Sequence, residues 1–543
     1  MTEDRTVLIA GAGPTGLTAA CTLLRQGVDV TVVDRRSGPA TAPKAIVTWS
    51  GALEVLDRVG VAERVAERAL PLSGASYWSR GRKVAAVTFG GLPNTRFPGP
   101  LSVPQPVIEE LLYERLTQLG GTVRWQTTVR SVTSVGGDGQ EGAEVTLDEH
   151  EGGETTVRAR WLIAADGMHS TVRGELGVPF EGDTYPRDFL LGDVVLDAAG
   201  GAPLPEAEAQ YHLTPDGVLV VVALPKGGHR VFFDQPAGTR TDRPTTEELQ
   251  RLLDERGPGR WKIGESWWTS RFQVHARVAG AFRHGAVFLA GDAAHVHSPA
   301  GGQGLNTGVQ DGYDIGWKLA AVCRGADESL LDSFEAERRP TAVRAVRNAD
   351  RQTRLWMVRN PVVRALRDTL LRRLSRSGAL ERRLIPEIAQ IDLDLKESPA
   401  VARDPAGDGI TPGRRIPDTV LTPVHGARAA TLHGYLANGR HAVVVFDDGT
   451  AGGRAAEAAE QARTRFDREA VDVLLVTSGG VPGAAGYDVA TASERRTAQA
   501  VYVRPDGYVG ARLPLDGARS LGELLVRVPE SADTPAGDAK GRR

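Results

Sequence analysis

With two cysteines in 543 residues, Cys21 and Cys323, far apart, the chain has no disulfide framework, no CxxC redox pair and no cysteine zinc site. A reducing cytoplasm fits that composition. Long apolar runs are missing too: none approaches the ~20 residues needed to cross a bilayer. The opening stretch MTEDRTVLIAGAG passes from acidic and polar residues into a strand, without the basic region and apolar stretch of a secretory signal. A cytoplasmic protein with no membrane partner is expected. Neither sign of charge dominates: the formal net charge is −3 and no lysine–arginine stripe forms, so nucleic acid is not expected as a partner and a small organic substrate is. Lysine is absent from the glycine-rich stretch GDAAHVHSPAGGQGLNTGVQDG at 291–312. A phosphate-gripping P-loop would end in Gly-Lys-Ser/Thr, so this loop does not serve a nucleoside triphosphate.

A chain of this length should divide into two or three domains. TVLIAGAG reads as a strand, PTGLTAACTLLRQG as a helix closed by Gly27, and VDVTVVDRR as a second strand: a βαβ unit within residues 6–36. ARWLIAADG (159–167) and GAVFLAGD (285–292) read as buried strands of the same sheet, each ending at an acid beside glycine. Between them, 180–275 alternates apolar and polar residues, the pattern of an antiparallel sheet with one solvated face, expected to be joined by residues 73–103. Residues 310 to about 395 are helical in pattern, and the basic helix VRNPVVRALRDTLLRRL reads as a solvated, charge-rich face rather than a membrane helix. SPAVARDPAGDGITPGRRIPD (398–418) reads as a linker. The strands HAVVVFDDG, VDVLLVTSG, AQAVYVRPDGYVGARL and SLGELLVRV spell a small α/β domain, and the tail SADTPAGDAKGRR reads as frayed.

The chemistry concentrates in three places. Gly11-Ala12-Gly13-Pro14-Thr15-Gly16 is a GxGxxG between strand and helix. Gly11 permits the tight turn, Gly13 lets backbone approach a pyrophosphate, Gly16 lets helix and strand pack closely, and the helix N-terminus faces the phosphates. Asp34, closing the second strand, suits a ribose with free hydroxyls, whereas Arg35 and Arg36 would suit a 2′-phosphate, so this unit alone leaves FAD, NAD and NADP open. Asp166-Gly167, ahead of a helix starting near Ser170, and Gly291-Asp292 decide between them. An acid on a distant strand followed by a glycine loop fits a cofactor that crosses the whole sheet edge. Asp292 would accept from a ribityl hydroxyl, and the 299–306 loop would offer backbone N–H groups to a flavin ring that gains negative charge on reduction.

GAGPTG, LIAADGMHSTVR and GAVFLAGDAAHVHSPAGGQGLNTGVQDGYDIGWKLA together resemble the single-component FAD-dependent aromatic hydroxylases of the p-hydroxybenzoate hydroxylase superfamily. More narrowly, the chain is similar to the branch that oxidises polyketide aromatics and related phenols and carries a thioredoxin-like C-terminal domain. The resemblance implies a Rossmann-like α/β FAD-binding domain (1–72, 104–179 and 276–397), a discontinuous antiparallel-sheet substrate domain (73–103 and 180–275), a linker (398–418) and a thioredoxin-like domain lacking CxxC (419–543). It implies FAD at Gly11, Gly13, Pro14, Thr15, Gly16, Asp34, Arg35, Gln105, Asp166, Gly291, Asp292 and Pro299, with the adenine near the main chain of Val129. Backbone contacts to the flavin ring are implied at Gly302, Gly304, Leu305 and Asn306. One departure stands out: members carry an arginine in the helix after the second strand, where this chain has Gly51, with Lys44 as a partial substitute. A lysine gives a point charge and not a planar fork, which weakens the expected clamp on the pyrophosphate.

The resemblance further implies that NADPH reduces FAD and leaves, that dioxygen forms a flavin C4a-hydroperoxide, and that one oxygen enters an aromatic ring. The cofactor carries that chemistry, so no side-chain catalytic base is named. A Baeyer–Villiger oxygenase acting on a polycyclic ketone shares every motif, and an FAD-binding protein without oxygenase activity is the alternative from another class. His295 and His297 form an H-x-H without an evident third ligand and are read as loop-shaping, not metal-binding. Of the adjacent Trp267 and Trp268, one must face the flavin side of its strand, and Trp268 is the candidate substrate contact. The oligomeric state is open, a homodimer being one option.

Overall fold

The computed structural model describes residues 2–515 apart from 138–139, 151, 199–202, 239–241, 404–409, 428, 452, 467–469, 478–486 and 493–495. SLGELLVRV and the C-terminal tail lie outside the described residues, as does the middle of the 398–418 stretch.

The first sheet runs, across its width, Arg283–His284, Val287–Leu289, Gly153–Ala164, Thr2–Ala10, Val30–Asp34 and Val123–Trp125, with Thr127–Gly137 and Gln140–Glu149 added antiparallel. Its central strands are parallel, which buries both faces and explains the unbroken apolar runs VLIA, WLIA and VFL. Parallel strands bring their carboxyl ends to one edge, where ligands of open α/β sheets bind. The helix Pro14–Arg25 follows the first strand, and the helix Gly304–Cys323 lies against it. Their approach depends on Gly308, Gly312 and Gly316. A Cβ on Gly308 would stand 2.5 Å from Thr15 Oγ1 and one on Gly312 2.2 Å from the Thr15 carbonyl oxygen. Several glycines of the 291–316 segment therefore serve helix packing, a role beyond the ligand contacts expected of the 299–306 loop.

The second sheet is ordered His295–Val296, Lys262–Ala279, Phe180–Asp197, His229–Pro236, Gly217–Ala223, Glu208–Thr214, Gly74–Ser79 and Arg82–Thr88. Two features depart from expectation. Glu208–Thr214 and Gly74–Ser79 pair in parallel. The face expected to be solvated is covered instead by the helix Thr246–Arg256, whose Leu249, Leu252 and Leu253 pack on Leu219, Val221, Val231 and Phe233. All seven residues of Gly217–Ala223 are buried, which a half-solvated strand would not allow. The opposite face packs against Ile46, Val47 and Ala300. Leu101–Ser102 leaves this sheet for a three-stranded one with Val47–Thr48 and Leu70–Pro71.

The basic helix Pro361–Arg376 also reverses expectation: Arg364 and Arg367 are buried while Val362, Leu366 and Leu370 are exposed. Arg367 donates to Asp368 and to the Leu355 carbonyl, so its charge is satisfied from within. The described part of the supposed linker is packed as well. Ile410 and Ile416 are fully buried, and Gly413 N–H donates to the Val509 carbonyl at 2.8 Å. Proline and glycine there shape a strap and not a free tether. Beyond it, the strand His441–Asp447, the helix Arg454–Arg465 and the parallel strand Val471–Thr477 form a βαβ unit, and Gln499–Val503 with Val509–Pro514 adds an antiparallel hairpin on its other side. No described helix is long and apolar enough to cross a membrane.

Candidate cofactor cleft and aromatic layer

Across the first sheet, Asp292, Asp166, the Gly11 turn and Asp34 follow one another at the carboxyl ends of four adjacent strands. At ~4.8 Å per strand, Asp292 and Asp34 stand roughly 14 Å apart along the edge, a span that suits an extended ligand.

At one end, Ala12 N–H donates to Asp34 Oδ2 at 2.7 Å and Arg36 N–H to Oδ1 at 2.8 Å. Burial alone would raise the Asp34 pKa, but the hydrogen bonds and charge of Arg36, with Ala12 N–H, hold it below the ordinary value. Arg36 also pairs with the buried Glu109 at 3.0 Å, and Gln105 Nε2 donates to Glu109 at 2.8 Å. Gln105 Oε1 accepts from Ala45 N–H at 3.3 Å, tying the helix Gln105–Gln118 to the 40–45 segment. The structure thus brings Arg36 and Glu109 into this cluster, whereas Arg35 is exposed outside it. Val129 is buried in its strand, opposite Leu147.

The glycine turn is built as the motif requires. Gly11 has φ +104°, and a Cβ on Gly16 would lie 1.9 Å from the Gly11 carbonyl oxygen. A Cβ on Gly13 would meet nothing within 4 Å, so open space lies in front of it. Pro14 and Thr15 start the helix, and Thr15 wedges beneath Gly291 and Gly308.

In the middle, Asp166 accepts from Val172 N–H at 3.3 Å while its Oδ1 is buried without a partner. Burial raises its pKa against these hydrogen bonds. Asp292 is enclosed closely enough for burial to raise its pKa, opposed by the charges of His295 and Lys44, yet its surface remains accessible. Asp292 is therefore surrounded by protein but not sealed from solvent. Lys44 therefore lies within electrostatic reach of this end of the cleft.

The loop beyond Asp292 is pinned from behind. Asp311 Oδ2 accepts from Gly291 N–H at 3.1 Å and from His295 Nε2 at 2.7 Å, and Arg338 Nε donates to Oδ1 at 2.7 Å. Burial raises the Asp311 pKa, but Arg338 and His295 lower it further, to a value below the ordinary one. His295 is thus a loop anchor. The sequence signal for Asp311 was an acid on a helix buried along its length, since such a group must find partners. Pro299 is exposed, and Gly301 and Gly302 adopt φ +77° and +62°. Leu305 is half-buried at the start of the following helix. The Asn306 side chain fastens the loop: its Oδ1 accepts from Trp49 N–H at 2.6 Å and its Nδ2 donates to the Val47 and Gly302 carbonyls. Gln303, 1% exposed, has both amide atoms without partners, and so does His297 Nε2, beside Gly304. Burial holds His297 down to about 4, so it is neutral at pH 7.

Gly51 has no room for a side chain. Its Cβ would stand 2.8 Å from the Ala389 carbonyl, because the end of the helix Ala379–Ala389 occupies the space an arginine would need. The nearby void of about 40 Å³, lined by Gly51, Glu54, Gln310 and Tyr508, suits water and not a substrate.

Facing the glycine loop is the inner side of the second sheet. Phe189 and Phe232 stack at 5.2 Å, Tyr77 and Tyr211 at 4.9 Å, and Tyr211 meets Trp356 at 5.1 Å. Ala300 of the loop, Ile46 and Val47 pack into the same layer. Trp268 packs against it with the Arg230 guanidinium 5.5 Å from its ring, while Trp267 is 47% exposed. Arg230 is itself bound by Asp193 at 2.6 Å and by the Lys44 carbonyl at 2.8 Å.

Residues 4–349 match a family described as an FAD binding domain, and residues 410–532 one described as aromatic-ring hydroxylase, C-terminal. The chain is 34% identical to 6-methylpretetramide 4-monooxygenase of Streptomyces rimosus, over 99% of this chain and 96% of that one. It superposes on an anhydrotetracycline hydroxylase from Streptomyces rimosus with TM-score 0.75 and 30% identity, covering 97% and 99%. A ternary complex of aklavinone-11 hydroxylase with FAD and aklavinone gives TM-score 0.74 and 26% identity, covering 97% and 99%.

Proposed function

Because the chain belongs to the FAD-dependent aromatic-ring hydroxylase family, we propose that it is a monooxygenase that hydroxylates a polycyclic aromatic polyketide or related phenol with NADPH and dioxygen. The observation that carries this reading is the order of Asp292, Asp166, the Gly11 turn and Asp34 along one sheet edge, beside a glycine loop that packs on an aromatic layer.

The residues present fit FAD. The unpartnered Asp166 Oδ1 and Gln303 amide, and the open space before Gly13, are what a polar ligand in the cleft would satisfy. Gly11, Gly13, Pro14, Thr15 and Gly16 would hold the pyrophosphate, with Asp34 and the Val129 main chain at the adenosine end and Asp166 in between. Asp292 and Pro299 would hold the ribityl end, and the backbone of Gly302, Gly304, Leu305 and Asn306 the ring. Bound FAD supplies the passage of electrons from NADPH to dioxygen and the transfer of one oxygen atom to the substrate. The chain's part is to position and to exclude water. Asp311 and Asn306 fix the loop from both sides, Lys44 brings positive charge to the Asp292 end, and the aromatic layer keeps the substrate face dry.

Residues 1–72, 104–179 and 276–397 would form the cofactor domain and 73–103 with 180–275 the substrate domain. A thioredoxin-like fold for 419–543 is supported by the βαβ unit with its antiparallel hairpin. Without cysteines it would act structurally.

Purified protein supplied with FAD should be yellow, and polycyclic phenols should stimulate NADPH oxidation with one atom of ¹⁸O₂ recovered in a hydroxylated product. A lactone or ester product would replace hydroxylation with Baeyer–Villiger chemistry. Absence of stimulated oxidation across phenols and quinones would overturn the oxygenase reading.

A further inference from the structure

We infer that the helix Pro361–Arg376 docks the protein onto an anionic lipid surface, lying along the membrane with its exposed apolar row in the interface and its arginines on the headgroup phosphates. This surface stands apart from the hydroxylase reading above. Val362, Leu366 and Leu370 recur every fourth residue, which puts them in one row on the helix, with Val363 beside it. They are 75%, 69% and 52% exposed. Together with Val363 and Leu355 they are five of the eight large apolar side chains exposed among the described residues, so the apolar surface is gathered in one place and not scattered.

The helix is held from within, so this exposure belongs to the fold. Leu371 packs in the layer of Phe189 and Trp356, and Ser375 Oγ donates to the Ala86 carbonyl at 2.8 Å and accepts from Ala86 N–H at 3.1 Å. The outward side carries cations only. Arg373 continues the apolar row by one turn, Arg372 and Arg376 flank it, and Arg359 precedes it. All four are exposed, and none has an acidic partner among the described residues. The one acid of the helix, Asp368, is buried against Arg367. The helix dipole favours cations in the last turn, but it leaves the exposed leucines unexplained.

Charge and shape select the occupant. A second copy of the chain, apposed through this row, would bring arginine against arginine with no acid to receive it. Protein partners are anchored chiefly by Trp, Tyr and Arg seated in pockets, whereas this row has aliphatic tips on a convex helix and no aromatic ring. An apolar row with a cationic border on one helix is the pattern that seats at the boundary between acyl chains and anionic headgroups. Lying on a membrane needs no spanning run, and this helix of 16 residues is too short and too charged to cross one. Its inner side backs on the aromatic layer, so under the hydroxylase reading the substrate face would be held near the phase in which flat apolar molecules dissolve.

The test is cosedimentation of the full-length protein as purified with vesicles of equimolar phosphatidylcholine and phosphatidylglycerol, beside vesicles of phosphatidylcholine alone. Wild type is expected to bind the anionic vesicles and to lose binding as salt is raised. The triple variant Arg372→Gln, Arg373→Gln, Arg376→Gln should weaken binding about 100-fold, at about five-fold per cation. The double variant Leu366→Gln, Leu370→Gln should weaken it about ten-fold or more, with Tm and FAD content as in wild type. A control that changes exposed valines elsewhere, Val420→Gln with Val424→Gln, should bind as wild type does. No binding to anionic vesicles overturns the docking surface, as does an equal loss in the valine control. A lowered Tm in the leucine variant would make the row structural and overturn it. A dimer that the leucine substitutions dissociate would give the row to a second copy and overturn it; arginine-dependent binding to polyglutamate, with none to vesicles, would give it to an acidic protein and do the same. Substrate-stimulated NADPH oxidation bears on the hydroxylase reading alone, so the two fail separately.

Discussion

Two buried polar regions of this molecule are built on opposite rules. Where the C-terminal domain meets the helices Gly304–Cys323 and Asp332–Trp356, every charge is matched: Lys318 donates to Asp314 at 2.7 Å and Glu337 at 2.9 Å, Arg504 reaches Glu337 through two bonds of 2.7 Å, and Arg504 also pairs with Asp506. In the cleft, Asp166, Gln303 and His297 each have buried side-chain atoms left over. Three clustered carboxylates, Asp314, Glu337 and Asp506, resemble a cation site in composition, but the chain's own lysine and arginine already fill the role of the ion. The matched charges hold two parts of the chain together, and the unmatched atoms of the cleft lie where FAD is proposed to bind.

The largest effect is expected where the matching is complete. Arg504→Met leaves Asp506 without its cation and Glu337 with Lys318 alone, and should destabilise the holoenzyme by about 3 kcal/mol, read from the denaturant midpoint; an unchanged midpoint would remove the structural half of the contrast. Gly16→Ala forces a methyl against the Gly11 carbonyl and should cost about 1–3 kcal/mol and yield protein depleted of FAD; a fully yellow, equally stable variant would show that the turn is not pressed as the structure has it. Asp166→Asn should separate the two rules most cleanly. FAD binding should weaken by about 1.5–3 kcal/mol, the range for a hydrogen bond to a charged group, while the apoprotein is as stable as wild type or more so. A loss of apoprotein stability would assign Asp166 to structure.

The pH dependence should also have opposite signs. Glu337 has a lowered pKa, since the charges of Arg504 and Lys318 outweigh its burial. It contributes stability above the ordinary carboxylate range, lost as pH falls through its folded value. Asp166 has a raised pKa from burial, so its contribution is present at low pH and lost as pH rises through its folded value. Apoprotein unfolding followed against pH should therefore lose part of its slope just above the ordinary carboxylate range in Asp166→Asn; identical profiles would refute this assignment. The smallest effect is reserved for Trp267→Ala, within about 0.5 kcal/mol as for other exposed positions, against a clear loss of affinity for polycyclic phenols in Trp268→Ala. Equal effects of the two would deny that the strand presents distinct faces.

The local units were legible because each is written in a short window. GAGPTG with Asp34, the strand ARWLIAADG and the strand GAVFLAGD announce themselves through apolar runs ending in glycine and acid. Less legible was anything set by partners distant in the chain. Arg35 and Arg36 are equivalent in sequence, and the positions of Asp34, the Ala12 carbonyl and Glu109 select Arg36. Gly51 reads as a missing arginine until the end of the helix Ala379–Ala389 is seen to occupy its space. In Pro361–Arg376 the charge pattern suggested a wet face, but Asp368 and the Leu355 carbonyl turn Arg367 inward. The glycines at 308, 312 and 316 are a four-residue repeat whose meaning depends on which helix lies across them.

The sequence by itself determined the strands, the glycine turn and the three acids that end the parallel strands, because backbone conformation and side-chain periodicity are local properties. Only the tertiary structure decided which buried groups are paired and which are left open, that Asp311 pins the cofactor loop, and that Tyr77 and Tyr211 stack in one aromatic layer. Hydrogen-bond satisfaction belongs to a pair of atoms brought together by folding, and a single position in a chain does not contain it.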